Sequence, residues 1–367
     1  MRKVIFTTAV WGKEYTFHFV NFTLPSLMAP GNIPAMAGLA PVEFHIYSPR
    51  ADSDRIERSP AYRRLCEVAT PKIIVIDDDS IRQAADDQNL SYKIMVQTHH
   101  HLIAHAWEQD AAICSVYPDT ILADGSFRTV AKLAQAGKRS IHSAGISLNM
   151  HSFVPALIRA EIAAGRGQDL LAGRLDLAPR DTIRLAMGHI HDHSAAHILG
   201  QDGFTQWPSQ MYWPLDGHGL LLRSWHPTPY FVHPRRDGSN FTFGIDGDFV
   251  RLAVDYEDCA VVEDSDDFLM LEPMPFKRRR NDKPCVNHAK PFDVANWAIN
   301  NADDFHRRFV HSPIWLHDGA VPDAVRARAW TESQEFLSEV FGTITAIEQF
   351  SADVGTGFKD LLGAPLA

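Results

Sequence analysis

The side chains best suited to chemistry in this chain are carboxylates placed where apolar runs end. Asp119 follows Ala111–Val116 with only Tyr117 and Pro118 between. A carboxylate there can hold a divalent cation, which prefers oxygen ligands, or accept a hydrogen bond from a hydroxyl. Asp246 and Asp248 flank Gly247 after the run 241–245, which is expected to be a strand. Either can serve as a general base for a nearby hydroxyl; a turn with capping aspartates is the alternative use of the same residues. Asp77, Asp78 and Asp79 stop another apolar run. Asp77 can accept hydrogen bonds from a ligand edge, and a solvated turn or helix cap explains the trio as well. The cluster Glu263-Asp264-Ser265-Asp266-Asp267 suits a solvated strand end or a cation.

Histidines and cysteines offer a second kind of chemistry. Gly188-His189-Ile190-His191-Asp192-His193 resembles the H-x-H-x-D-H zinc motif of metallo-β-lactamase-like hydrolases. It is one residue short and lies between helical stretches rather than after a strand. It supports, as an alternative function, a metal-dependent hydrolase using His189, His191, Asp192 and His193. His99, His100 and His101 fall on a helix, where consecutive residues point in different directions and cannot jointly chelate one ion. Cys66, Cys114, Cys259 and Cys285 are far apart and form no C-x-x-C pair, which excludes a zinc ribbon or a dense disulfide framework.

The 367 residues carry a formal net charge of −10, with 45% hydrophobic and 22% charged residues. That balance argues against a protein that neutralises many nucleic-acid phosphates. The dense basic run Lys277–Arg280 reads as a solvated loop. No window reaches the roughly 18 apolar residues of a membrane span, and the basic N-terminus lacks the apolar stretch of a targeting signal. The expected location is cytoplasmic, with peripheral attachment to the cytosolic face of a membrane as the variant.

The elements that must position these residues alternate. Val4–Val10, Val42–Tyr47, Lys72–Ile76, Ala111–Val116 and Arg139–Ala144 read as strands. Tyr15–Leu27, Ile56–Val68, Leu90–Trp107 and Phe127–Ala136 read as helices between them. Such alternation predicts an α/β fold, a mainly parallel sheet with helices on both faces. After residue 150 the pattern becomes α+β. Helices are expected over Phe153–Leu175 and Pro179–Leu199, then strands over Gly219–Arg223, Tyr230–Val232, Phe241–Ile245 and Cys259–Val262. Two terminal helices are expected over Asp323–Phe341 and Ile344–Leu362. The expected division is 1–150, 151–320 and 321–367.

Four segments, in this order and spacing, carry a family resemblance: Thr7-Thr8-Ala9-Val10-Trp11-Gly12-Lys13-Glu14-Tyr15, then Leu24–Pro34, then Val75-Ile76-Asp77-Asp78-Asp79, then Ser115–Asp124. Together they resemble the GT-A class of nucleotide-sugar glycosyltransferases over roughly residues 4–145. The resemblance implies a GT-A-like fold and transfer of a sugar from a nucleotide-diphosphate sugar to a glycan, a lipid-linked sugar or a protein. It makes 1–150 the donor half and 151–320 the acceptor half. It places Thr8, Val10, Trp11, Gly12, Tyr15, Asp77 and Asp119 at the nucleotide sugar. Asp246 or Asp248 becomes the base, and Asp119 and His226 become candidate ligands for Mn2+ or Mg2+. The D-x-D pair of that class is incomplete here, with Tyr117 two residues before Asp119 and Ile121 two after. The missing carboxylate favours metal independence. A GT-A-like protein that binds a glycan or partner without catalysis is the other alternative.

Overall fold

The computed structural model describes residues 1–84, 87–241, 244–275, 285–286 and 289–353. The basic run Lys277–Arg280 lies outside them. Seven strands form the central sheet: β1 (Lys3–Ala9), β2 (Val42–Ser48), β3 (Thr70–Val75), β4 (Ala111–Ser115), β5 (Ser140–Ser143), β6 (Thr228–Val232) and β7 (Cys259–Val261). Their order is β7-β5-β6-β4-β1-β2-β3. β6 runs antiparallel to both its neighbours, and every other pairing is parallel. Two of these strands come from beyond residue 150, so the sheet is completed by the second half of the chain.

Alternation along β1 sends its side chains to two separate cores. Val4 and Phe6 pack with Phe44, Ile46, Phe127 and Val130 on one face. Ile5 packs on the other with Leu102, Ile103 and Ala106 of the long helix Gln88–Glu108, and with Phe249 of the helix Gly247–Ala253. Both faces are thus covered by helices, as a mainly parallel sheet requires. A three-stranded antiparallel sheet, Gln210–Pro214, Gly219–Ser224 and Ile314–His317, lies beyond it. It shares a core with the helices Pro291–Asn301 and Asp323–Asp353. Among the described residues no helix is long and apolar enough to cross a membrane.

Departures from the sequence expectation have local causes. The stretch expected as one helix over Ile56–Val68 is two helices, Arg50–Arg58 and Pro60–Val68. Ser59 between them is extended, because a residue before proline is driven out of the helical region. The stretch from Phe153 breaks likewise, into Met150–Ala163 and Gly167–Leu171, around Gly165 at φ 79°. Conversely, one helix covers Asp323–Asp353, and Gly342 does not split it. Its buried stripe of Ala329, Ser333, Leu337, Val340 and Ile344 continues at helical spacing across the glycine, and packing outweighs a propensity cost of about 1 kcal/mol. The strand expected over Phe241–Ile245 is not formed by its described residues. Asp246 therefore caps the Gly247–Ala253 helix instead of leaving a strand.

A buried polar network fixes the segment after β4. Asn32 is fully buried, and its amide donates to the carbonyls of Ser26 (2.8 Å) and Ala123 (3.1 Å). Its carbonyl oxygen accepts from the backbone N–H of Phe127 at 3.1 Å. Ser26 Oγ accepts from Leu122 N–H at 3.2 Å. Gly31 passes so close to Gly125 that a Cβ at residue 31 would collide with its backbone. Asn32→Leu strands the Phe127 N–H away from water and removes one donor from each of the Ser26 and Ala123 carbonyls, which keep the Ala29 N–H and the Ser126 hydroxyl. We expect a loss of about 2–4 kcal/mol in stability, measured by urea unfolding. A loss below about 0.5 kcal/mol would show that the network is dispensable.

Candidate functional site

The chain runs from β1 outward through β2 and β3, then returns to β4 on the other side of β1. Ligands of open α/β sheets bind outside the carboxyl ends of the strands at such a reversal. At the end of β1, Val10 is fully buried, with its N–H donating to the Tyr47 carbonyl at 2.8 Å. Thr8 is buried too, and its hydroxyl has no partner. Trp11 and Tyr15 are half-buried. Gly12 sits at φ +82°, a conformation that favours glycine. Its N–H is held by Asp52 Oδ2 at 2.8 Å, so that donor serves the turn.

β4 ends in a tight turn in which Val116 N–H donates to Thr7 (3.0 Å) and Thr120 N–H to Tyr117 (3.2 Å). Thr23 Oγ1 donates to the Pro118 carbonyl at 2.7 Å. Asp119 is half-buried on this turn. Tyr117 opens into a cleft of about 410 Å³, lined also by Trp207, His226, Asp246, Asp248 and Trp297. The antiparallel course of β6 explains how distant residues arrive there. Its first residue, Thr228, lies where its neighbours end, pairing with Ser143, the last residue of β5. His226 and Pro227 just before it are thereby delivered to the cleft.

Two histidines meet beside the carboxylates. His226 donates its Nε2–H to the Asn301 carbonyl at 2.9 Å, which leaves Nδ1 as the lone-pair nitrogen. Burial, then the neighbouring His306, lower its pKa to about 4. The two rings lie 4.4 Å apart. His306 is buried, with Nδ1 held by Asp303 Oδ1 at 2.7 Å. Its Nε2 has no hydrogen-bond partner and lies 3.8 Å from Asp248 Oδ1. Asp246 accepts the N–H groups of Asp248 (3.0 Å) and Phe249 (3.2 Å). The cleft walls still push its pKa up and Asp248 adds repulsion, with the Phe249 N–H opposing. A carboxylate perturbed in this way by its surroundings, in a cleft, marks a candidate for proton transfer. His99 fixes this loop from behind: its Nδ1 accepts the Ile245 N–H at 3.1 Å, and its Nε2 lies 3.5 Å from Ser115 Oγ.

Tyr117 connects the two parts of the site. Burial raises its pKa, and the charges of Glu272, Asp246 and Asp119 raise it further. Glu272, which accepts from Ser147 Oγ at 3.3 Å, was not singled out by the sequence, nor were Asp303, His306, Trp297 and the loop-holding role of His99. The one signal that could have found His306 is the Asp303-x-x-His306 spacing, since Asp303 also caps that helix. Trp207 is 40% exposed and stands edge-on to buried Trp297 at 5.5 Å between ring centres. The described lining contains no Lys or Arg, so this cleft suits hydroxyl groups better than a diphosphate.

No family model matches this sequence, and no curated protein matches it. Among solved structures, mouse xyloside xylosyltransferase 1 in its apo form aligns at 10% identity and a TM-score of 0.24, over 45% of this chain and 59% of that one. A likeness of that size carries no argument about function.

The remaining sequence candidates fall elsewhere. Asp77 is exposed, accepts from the N–H and hydroxyl of Ser80 (2.9 and 3.1 Å), and caps the Asp78–Ala84 helix. In the histidine-rich segment, His191 uses both nitrogens: Nε2 donates to Pro275 at 3.0 Å and Nδ1 accepts from His193 N–H at 3.0 Å. His189 bonds Ser152 at 2.9 Å. That segment converges on no common ion, which removes the geometric basis of the hydrolase alternative. Two groups of ligand-type side chains come together among the described residues, Glu43–His45–His105 and Asp264–Asp266–His317. Neither contains Asp119 or His226.

Burial of imidazoles has a measurable consequence. His18, His99, His142, His197 and His226 are each lowered to about 4 by burial, while in the unfolded chain they titrate near ~6.5. Above that value both states are neutral and these groups add no pH dependence. As pH falls from about 6.5 to about 4, the unfolded state binds protons first, and each histidine withdraws up to about 1.4 kcal/mol per pH unit. The melting temperature should drop steeply across this window, and His99→Gln should shallow the drop. A flat profile from pH 7 to 5 would contradict the burial of these rings.

Proposed function

We propose that this protein transfers a sugar from a nucleotide-diphosphate sugar to a hydroxyl acceptor. One observation carries the proposal: Tyr117, from the turn after β4 that also carries Asp119, lines the same cleft as the aspartates 246 and 248 from the second half, beside the topological switch of the sheet. In this reading the donor lies over the ends of β1 and β4, near Trp11, Tyr15 and Asp119. The acceptor occupies the cleft, where Trp207 offers an aromatic face to a sugar ring. Asp246 takes the acceptor proton; its raised pKa makes it a better base than an ordinary surface aspartate. Asp248 and the Asp303-held His306 lie beside it to share that proton. Asp119 orients the donor sugar or holds a Mn2+ or Mg2+ ion on the diphosphate. The donor set favours the first role, because Tyr117 and Ile121 stand where a second carboxylate would complete the D-x-D pair. The GT-A class is the fold family this reading invokes.

Two measurements test it. UDP, GDP, CMP and dTDP sugars are screened by thermal shift, since a ligand of the native state raises the melting temperature by mass action. No shift at millimolar concentration would remove the donor from the scheme, and binding of a glycan alone would leave a non-catalytic protein. Transfer is then assayed for Asp246→Asn and Asp119→Asn. Asp246→Asn keeps the helix cap, because asparagine caps as well as aspartate, and should lose about 10²–10⁴-fold in kcat. Asp119→Asn should lose on the order of 100-fold or more, with wild-type activity insensitive to EDTA if the residue orients the sugar. Full activity in either variant would refute its assigned role.

A further inference from the structure

The middle of β2 carries a second polar cluster that the cleft does not use. Glu43, His45 and Tyr47 alternate along the strand, so all three face the same side of the sheet. On the helix Gln88–Glu108 above them, His101 and His105 are four residues apart and therefore neighbours. Ligand-type atoms of Glu43, His45 and His105 all lie within 4.8 Å of one another. The rings of His45 and His105 are 5.5 Å apart, and His101 stacks parallel to His105 at 6.4 Å. None of these residues lines the cleft.

We infer that His45 and His105 bind one borderline transition-metal ion of the zinc class, with Glu43 as the carboxylate that orients His45. The hydrogen bonds assign the roles. His45 Nε2–H donates to Glu43 Oε2 at 2.9 Å, so the neutral ring keeps its lone pair on Nδ1. His45 is 2% exposed, and that Nδ1 is buried with no hydrogen-bond partner. His105 Nε2 is likewise buried and unpartnered. Buried polar atoms are nearly always satisfied, and two unsatisfied ring nitrogens in one cluster call for a common partner. Two nitrogens on a tetrahedral ion with bonds of ~2.1 Å lie ~3.4 Å apart. A carboxylate behind a ligating imidazole is the usual way to fix its tautomer and orientation.

The charge around the cluster selects the ion. Lys3 and Lys72 each hold a Glu43 oxygen at 2.7 Å, so the carboxylate is already neutralised. Hard cations such as Mg2+ or Ca2+, which need oxygen ligands, are therefore poorly served, whereas imidazole nitrogens suit zinc, copper, cobalt or nickel. The second group, Asp264–Asp266–His317, lacks these features. His317 donates to Asp264 at 3.0 Å and accepts from Gly319 N–H at 3.1 Å, and Arg180 grips Asp266 at 2.6 Å.

The test is a Co2+ titration of the full chain after EDTA treatment and dialysis, followed by visible absorption and by competition with Zn2+. Wild type should take up one equivalent with nitrogen-ligand absorption, displaced by Zn2+, and zinc should raise its melting temperature. His105→Gln, on the half-buried helix surface, and His45→Gln should each weaken Co2+ binding at least tenfold and abolish the zinc-induced shift. His226→Gln and His317→Gln should leave both unchanged. If His45→Gln fails to fold, His105→Gln and Glu43→Gln decide, the latter with an expected 10–100-fold weakening. Absence of Co2+ binding by the wild type, or undiminished binding in His105→Gln, overturns the site. Neither result depends on sugar transfer.

Discussion

The turn that carries Asp119 is held in place by a segment about ninety residues earlier in the chain. The carboxamide of Asn32 bridges Ser26, Ala123 and Phe127, across sequence separations of 6, 91 and 95 residues. A single side chain can do this only if it offers two N–H donors and a carbonyl acceptor, which restricts the choice to asparagine or glutamine. Complete burial leaves no room for the longer one without rearrangement. Ser26 then sets Leu122, and the strand Ile121–Leu122 pairs with Met270–Met274, the strand that carries Glu272. One buried polar contact thus fixes the register of the Asp119 turn and, through that pairing, the strand carrying the acid that faces Tyr117.

The second half reaches the same place by reversing direction. If β6 ran parallel to its neighbours, its first residues would lie at the opposite end of the sheet, and His226 would be a strand-length away from Tyr117. Its antiparallel insertion brings the chain into the cleft before the strand begins. The loop ending at Ile245 is then tied to the long helix by His99, and Asp246 starts a helix whose first turn supplies the N–H groups that hold its carboxylate. The candidate carboxylates Asp246 and Asp248 are consequently rooted in a helix N-terminus, and Asp119 in the turn that follows β4 of the central sheet, the kind of support that a preorganised site needs.

The alternating strands and helices of the first 150 residues were legible because the apolar runs end at polar boundaries, and on the inner strands that boundary also ends the burial, as at Val116 to Asp119. What escaped the sequence was non-local. The insertion of β6 between β4 and β5 depends on a pairing partner about ninety residues away in sequence, Thr228 with Ser143, which no window contains. The strand expected over Phe241–Ile245 shows the opposite error. Its apolar run is real, and Phe241 and Ile245 are buried, but they are buried as a loop packed on the long helix. Asp246, Asp248 and His226 could be named from the sequence as reactive types. For their partners His306 and Asp303 the sequence offers only the capping spacing Asp303-x-x-His306, because the importance of His306 comes from lying against Gly247 and Asp248 in space.

The face of the sheet under Gln88–Glu108 breaks the rule that such surfaces are apolar. Thr7, His45 and Ser115 on the strands meet His99, His101 and His105 on the helix, in addition to the aliphatic core of Ile5, Ile113, Leu102 and Ile103. An ordinary packed interface would place Val, Ile or Leu at these positions and gain stability by doing so. Here His45 Nδ1, His105 Nε2 and the Thr7 hydroxyl remain without hydrogen-bond partners. Departures from local consistency concentrate at functional or strained positions, and on this face they serve two directions. His99 faces the cleft and holds its loop. His45 and His105 face each other over mid-strand, oriented by a carboxylate that two lysines have already neutralised. The buried, unpartnered nitrogens are thus at once a cost in stability and the lone pairs that the inferred ion would take, so both have one physical origin.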